Sequence, residues 1–97
     1  MILHLVLFKL KPDVDEAKLD EMIQATRTQL AKISAVVAAR EGKNIDSQSD
    51  WPFFLAVDVE SKEQLAIYRD DPIHVAYVNE VIKPYTTDRK ALDFFAD

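Results

Sequence analysis

The segment that most constrains this chain is its first strand. Ile2 to Leu10 runs Ile-Leu-His-Leu-Val-Leu-Phe-Lys-Leu, too short for a typical helix and dense in apolar side chains. Alternation sends Ile2, His4, Val6 and Phe8 to one face and Leu3, Leu5 and Leu7 to the other. Both faces are apolar, so both must be covered. Helices of the same chain can cover one of them. A chain of 97 residues has little left for the second, because small domains bury a smaller share of their surface than large ones. A hydrophobic content of 48% is generous at this length and points to apolar surface meant for a partner.

Pro12 and Asp13 end the strand. Asp13 with Glu16, or Asp15 alone, offers a carboxylate cap to a following helix. On that helix Leu19, Met22, Ile23, Leu30 and Ile33 follow helical spacing over about four to five turns. Ala35 to Glu41 reads as a second strand, or as a continuation of the helix, since alanine is a poor strand former. Gly42, the one glycine in the chain, predicts a backbone geometry that other residues resist. In a third strand Phe53, Leu55, Val57 and Val59 alternate with Phe54, Ala56, Asp58 and Glu60. Ser61 and Gln64 make a capping box for a second helix that carries Leu65 and Tyr68.

Asp70-Asp71-Pro72 interrupts that helix. Proline disfavours helical geometry in the residue before it but suits the first position of a helix. The spacing therefore predicts a break and a restart, with Asp71 capping a second piece through Val75, Val78, Val81 and Ile82 to Pro84. A last strand spans roughly Asp88 to Phe95. The order βαββαβ predicts one α+β domain over residues 1–97, a ferredoxin-like four-stranded antiparallel sheet with its helices on one face. Two such sheets packed face to face about a two-fold axis form a dimeric α/β barrel, so a homodimer through the bare sheet face is expected.

Composition removes several classes of function. With 17 acidic against 12 basic side chains the net charge is −5, and no basic stripe marks a nucleic-acid surface. The absence of cysteine excludes disulfides, thiol catalysis and zinc-thiolate sites together. Two histidines, His4 and His74, are too few for a histidine-rich metal site. Helix capping accounts for the clusters Asp13-Asp15-Glu16 and Asp70-Asp71 more simply than a hard cation does. No metal and no cofactor are expected. The N-terminus lacks the basic segment and cleavage site of a signal peptide, and no apolar run reaches the roughly 18 residues of a membrane span. A cytoplasmic protein without membrane contact is the expectation.

The stretches His4-Leu-Val-Leu-Phe-Lys9, Gly42-Lys43-Asn44 and Tyr68-Arg-Asp-Asp-Pro72-Ile-His74-Val resemble the stress-responsive α/β-barrel (Dabb) family, as do Val81-Ile-Lys-Pro84 and Leu92-Asp-Phe94. The resemblance spans essentially the whole chain and implies the ferredoxin-like fold and the barrel dimer. It implies little about activity, since most members look like proteins without an assigned reaction. In one branch, a plant polyketide cyclase closes a linear tetraketide by aldol chemistry with a tyrosine and a histidine that match Tyr68 and His74. The resemblance implies a cavity between sheet and helices with His4 in its lining and with Met22, Ile23 and Phe53 at matching positions; Val6, Phe8 and Leu55 are further ligand-binding candidates. Phe53 stands where that cyclase has a further histidine, and Met22 and Ile23 stand where it has aromatic residues. The pocket of this chain therefore differs in shape and in polarity.

The chemistry of the pair is coherent on its own terms. A neutral imidazole can take the acidic proton beside a carbonyl. A phenol, neutral at pH 7, can hold the enolate oxygen that develops. Six residues across a helix break do not share a face on a continuous helix, so the geometry depends on the Pro72 kink. The alternative is structural: Tyr68 packs under its helix and His74 bonds a backbone carbonyl near the cap. His4 has the same two readings, as a satisfied core histidine or as a polar anchor in the cavity. The expected functions are thus cyclase- or isomerase-type acid/base chemistry on a carbonyl compound, or a non-catalytic structural or ligand-binding dimer. Haem- or oxygen-dependent chemistry, as in other dimeric α/β-barrel families, stands behind both.

Overall fold

The computed structural model describes residues 1–97. Strand β1 (Ile2–Leu10) is central, flanked by β3 (Phe53–Val59) and β4 (Thr86–Phe95), with β2 (Ala38–Lys43) outside β3. All pairings are antiparallel in the order β2-β3-β1-β4. Helices α1 (Glu16–Leu30), α2 (Lys62–Asp70) and α3 (Pro72–Tyr77) lie on one face of this ferredoxin-like α+β sheet, and α3 runs on as a π-helical turn over Val78–Ile82.

Alternation along the strands separates two surfaces. Ile2, His4, Val6 and Phe8 of β1 and Phe53, Leu55, Val57 and Val59 of β3 are buried against the helices. Leu19, Met22 and Leu30 of α1, Leu65 and Tyr68 of α2 and Tyr77 of α3 close that core. On the other face Leu3, Leu5 and Leu7 stay partly exposed beside Phe54 and Ala56 of β3 and Leu92 of β4. Phe94, paired with Leu3, is 48% exposed there. No element of the chain covers this second face.

The helix ends follow local chemistry. Asp15, not Asp13, caps α1, accepting from the Lys18 amide at 2.8 Å. Ser61 accepts from the Gln64 amide to start α2. Asp71 then adopts an extended conformation, as the residue before a proline should, and its carboxylate accepts from the Ile73 amide at 2.8 Å. The chain breaks there and restarts with Pro72 in the first turn of α3.

Three expectations need correction. Strand β2 is Ala38–Lys43 rather than Ala35–Glu41, and α1 does not run on into it. The intervening residues form turns in which Ile33 and Ala35 plug the core, so their apolar character serves burial and not the sheet ladder. Gly42 has no positive φ. It lies in β2 opposite Phe54, and a Cβ there would sit 3.1 Å from Phe54 Cε1, so the position demands space rather than an unusual backbone. Strand β4 begins at Thr86, two residues before Asp88, because a register irregularity between Lys9 and Leu10 lets the ladder continue to a Leu10–Thr86 pair.

Candidate functional site

Between the β1/β4 half of the sheet and the α2–α3 layer lies an open cleft of about 500 Å³, within the range usual for small-molecule sites. Its floor is His4, Val6, Phe8, Leu55 and Ala91 from the strands. Its wall is Tyr68, His74 and Tyr77, continued by Val78, Asn79 and Ile82 of the π-helical turn. The widened turn is bridged by the Lys83 amide to the Val78 carbonyl at 2.9 Å. Turns of this kind recur at functional sites.

The break at Pro72 brings the two rings of the sequence motif together. Tyr68, in the last turns of α2, and His74, in the first turn of α3, have ring centroids 4.4 Å apart. His74 Nδ1 lies 3.0 Å from the carbonyl oxygen of Arg69. A carbonyl only accepts, so Nδ1 carries the hydrogen and donates it, leaving Nε2 with a free lone pair. Burial lowers the His74 pKa below its ordinary 6.5, opposed by the bond to the Arg69 carbonyl and assisted by the nearby His4 and Arg89. The imidazole is therefore neutral at pH 7, the form a base requires.

Tyr68 and Tyr77 are both buried, and burial raises both phenols well above the ordinary value of 10.0. Their hydroxyls differ in what they meet. Thr26 Oγ1 donates to the Met22 carbonyl at 2.7 Å and so must accept from Tyr77, whose hydroxyl is 2.6 Å away. Tyr77 is satisfied. The Tyr68 hydroxyl is buried with no hydrogen-bond partner, the one such side-chain atom in the structure. An unmet buried hydroxyl costs about 1–3 kcal/mol.

On the other side of Tyr68 stands His4, its ring 5.8 Å from the phenol in an edge-on arrangement. Its Nδ1 donates to the carboxylate of Asp93, directly across the β1–β4 ladder. Asp93 also receives Arg69 Nη2 at 3.5 Å. The pairing orients the His4 ring and fixes which nitrogen bears the hydrogen.

Of the residues singled out in the sequence, the structure gathers Tyr68, His74, His4, Val6, Phe8 and Leu55 around one cleft. Met22, Ile23 and Phe53 do not line it. Met22 is core under α1, Ile23 packs partly buried against that core, and Phe53 stacks behind Phe8 with centroids 5.1 Å apart. Sequence reasoning missed Asp93, Arg89, Arg69 and the wall residue Tyr77. Arg89, Ala91 and Asp93 alternate along β4 on the helix-facing side, opposite Phe8, Val6 and His4. That alternation was available in the sequence, but its meaning depends on the β1–β4 register.

Fold and cleft together define a ferredoxin-like α+β protein with a ligand-sized cavity between its sheet and its helices. Residues 2–96 match the Stress responsive A/B Barrel Domain, and the chain belongs to that family. It is 36% identical over its whole length to a stress-response A/B barrel domain-containing protein of Arabidopsis thaliana, and spans 37% of that relative. Among solved structures it is similar to a dimeric ferredoxin-like protein of Thermobifida fusca, with a TM-score of 0.84, 24% identity, and coverage of 96% of this chain and 88% of that one. It is also similar to the hydroxynitrile lyase of Passiflora edulis, with a TM-score of 0.83, 12% identity, and coverage of 99% and 93%. These two likenesses are of fold. No helix of the chain is long and apolar enough to cross a membrane.

Proposed function

We propose that residues 1–97 act as one domain that dimerises through its open sheet face and binds a small organic carbonyl compound in the cleft. There it moves a proton beside the carbonyl, as a cofactor-independent cyclase or isomerase does. The observation that carries this reading is the Tyr68 hydroxyl, buried without a partner beside a neutral imidazole. A protein gains nothing from such a hydroxyl unless something else bonds it, and a carbonyl oxygen is the complementary group.

In this reading His74 Nε2 takes a proton from the carbon next to the carbonyl. The electron pair of the C–H bond forms the carbon–carbon double bond of an enolate, and the carbonyl π pair moves to oxygen. Tyr68 donates its hydrogen bond to that oxygen, and its raised pKa keeps it a donor. The enolate then attacks a second carbonyl, whose π pair moves to oxygen as an alkoxide that takes the proton back from the His74 imidazolium, as in a cyclisation. In an isomerisation that imidazolium instead returns the proton at a different position. His4, held by Asp93, is the second polar group that orients the ligand. Val6, Phe8 and Leu55 supply the apolar contact surface. Phe53 backs Phe8, while Met22 supports the wall through Thr26 and Tyr77. A lyase on the same fold in Passiflora edulis supports the view that this scaffold can host such chemistry.

The test is exchange of α-protons for deuterium, followed by NMR, over a panel of small ketones and oxo acids. Wild-type protein should accelerate exchange for a subset of the panel, and His74→Gln should abolish the acceleration. A panel in which no compound exchanges faster with protein than without it leaves a structural dimer as the better account.

A further inference from the structure

The cleft also carries a charge pattern that the proton-transfer groups do not use. In a chain of net charge −5, its formally charged lining residues are Arg69, Lys83 and Arg89, and no carboxylate lines it. Arg69 is answered by Asp93 at 3.5 Å. Lys83 and Arg89 enter no ion pair with any carboxylate of the chain.

Their placement follows from the register. Strand β4 puts two charged side chains on the helix-facing side, where β1 and β3 are apolar apart from His4. Asp93 pairs with His4 at one end of the cleft and is satisfied there. Arg89 pairs with Phe8, four residues further along β1, roughly 13 Å away at the usual strand rise. Lys83 follows the π-helical turn and lines the same cleft. Between Arg89 and Asp93, Ala91 leaves the floor open. Arg89 and His74 line the same cleft.

We infer that the ligand is an organic anion, with a carboxylate seated on Arg89 and Lys83 and a carbonyl carried along the molecule to Tyr68 and His74. A guanidinium binds a carboxylate through two parallel charge-assisted hydrogen bonds, which fix orientation as well as affinity. Seating the anion at that end holds the carbonyl against the phenol. The inference rests on the carbonyl reading for the second half of the ligand, and on the cations alone for the first.

Three matched probes separate the halves. Benzoylpropionate carries both carboxylate and ketone, phenylbutyrate the carboxylate only, and butyrophenone the ketone only. Affinities are measured by calorimetry for wild type, Arg89→Gln and, as a control for net charge, Lys32→Gln. The two anions should bind wild type at least about tenfold more tightly than butyrophenone. Arg89→Gln should erase that advantage and leave butyrophenone binding unchanged, which also shows that the variant is folded. Lys32→Gln should change nothing. Butyrophenone binding as tightly as benzoylpropionate, anion affinity indifferent to Arg89→Gln, or no binding of either anion would each overturn the anion site. The ketone binding alone would leave the carbonyl reading standing without it. Anions that bind through Arg89 while the α-protons of benzoylpropionate fail to exchange would keep the anion site and remove the carbonyl chemistry.

Discussion

His74 and Tyr68 illustrate how position decides chemistry for residues that composition cannot distinguish. Tyr68 and Tyr77 are equally buried, yet one hydroxyl is bonded to Thr26 and the other is left open. His74 gives a pH signature whose sign follows from its environment. Its folded pKa lies below the ordinary 6.5, so as pH falls past 6.5 the unfolded chain takes up a proton that the folded chain refuses. His74 therefore adds nothing to instability above that value and costs stability below it. Urea unfolding from about pH 7 to about pH 5 should show a smaller loss for His74→Gln than for wild type. Equal losses would mean that the imidazole is not held neutral. The same property places the acid limb of kcat/KM for α-proton exchange below pH 6.5. Tyr68 and His74 were legible in the sequence because the motif Tyr68-Arg-Asp-Asp-Pro72-Ile-His74 is local. Asp93 and Arg89 were not, because their meaning depends on which residues of β1 they face.

Among the elements, those governed by local rules read directly from the sequence. Alternation in β1 and β3, the caps at Asp15, Ser61 and Asp71, and the break at Pro72 all appear where short-range chemistry puts them. The start of β2 and the π-helical turn did not, since turn residues such as Ala35 are apolar for core burial and a π turn has no composition of its own. Pro72→Ala should cost about 0.4–1 kcal/mol in urea unfolding, because proline sits in a geometry that suits it. It should also loosen the 4.4 Å approach of Tyr68 to His74, read as weaker cross-peaks between the rings. Unchanged cross-peaks would assign the break to the Asp71 cap alone. Gly42→Ala pushes against Phe54, whose ring lies on the open sheet face. Its effect should appear as a weaker dimer more than as a less stable subunit, and sedimentation against concentration measures that directly.

For the whole molecule, the uncovered sheet face is the feature that the proposed dimer explains. Leu3, Leu5 and Leu7 with Phe94 form an apolar surface that no helix of the chain reaches. Leu5→Asp would put an unpaired charge into a dry interface at a cost of several kcal/mol, so it should sediment as a monomer where wild type is a dimer. A stably monomeric wild type would remove the proposed partner of that face. The cleft on the other side of the sheet is formed within one chain, so ligand binding can be read separately from assembly.

The most direct test of the central claim is Tyr68→Phe, which deletes one buried oxygen atom and leaves the ring that lines the cleft. Unfolding free energy and α-proton exchange are measured together on wild type and variant. If the hydroxyl is held for a ligand, the variant should be more stable than wild type, by up to about 1–3 kcal/mol, because an unmet buried group has been removed. Exchange should fall to the rate without protein. A stability loss of about 1–3 kcal/mol, with exchange unaltered, would show that the hydroxyl serves the fold and contradict the account.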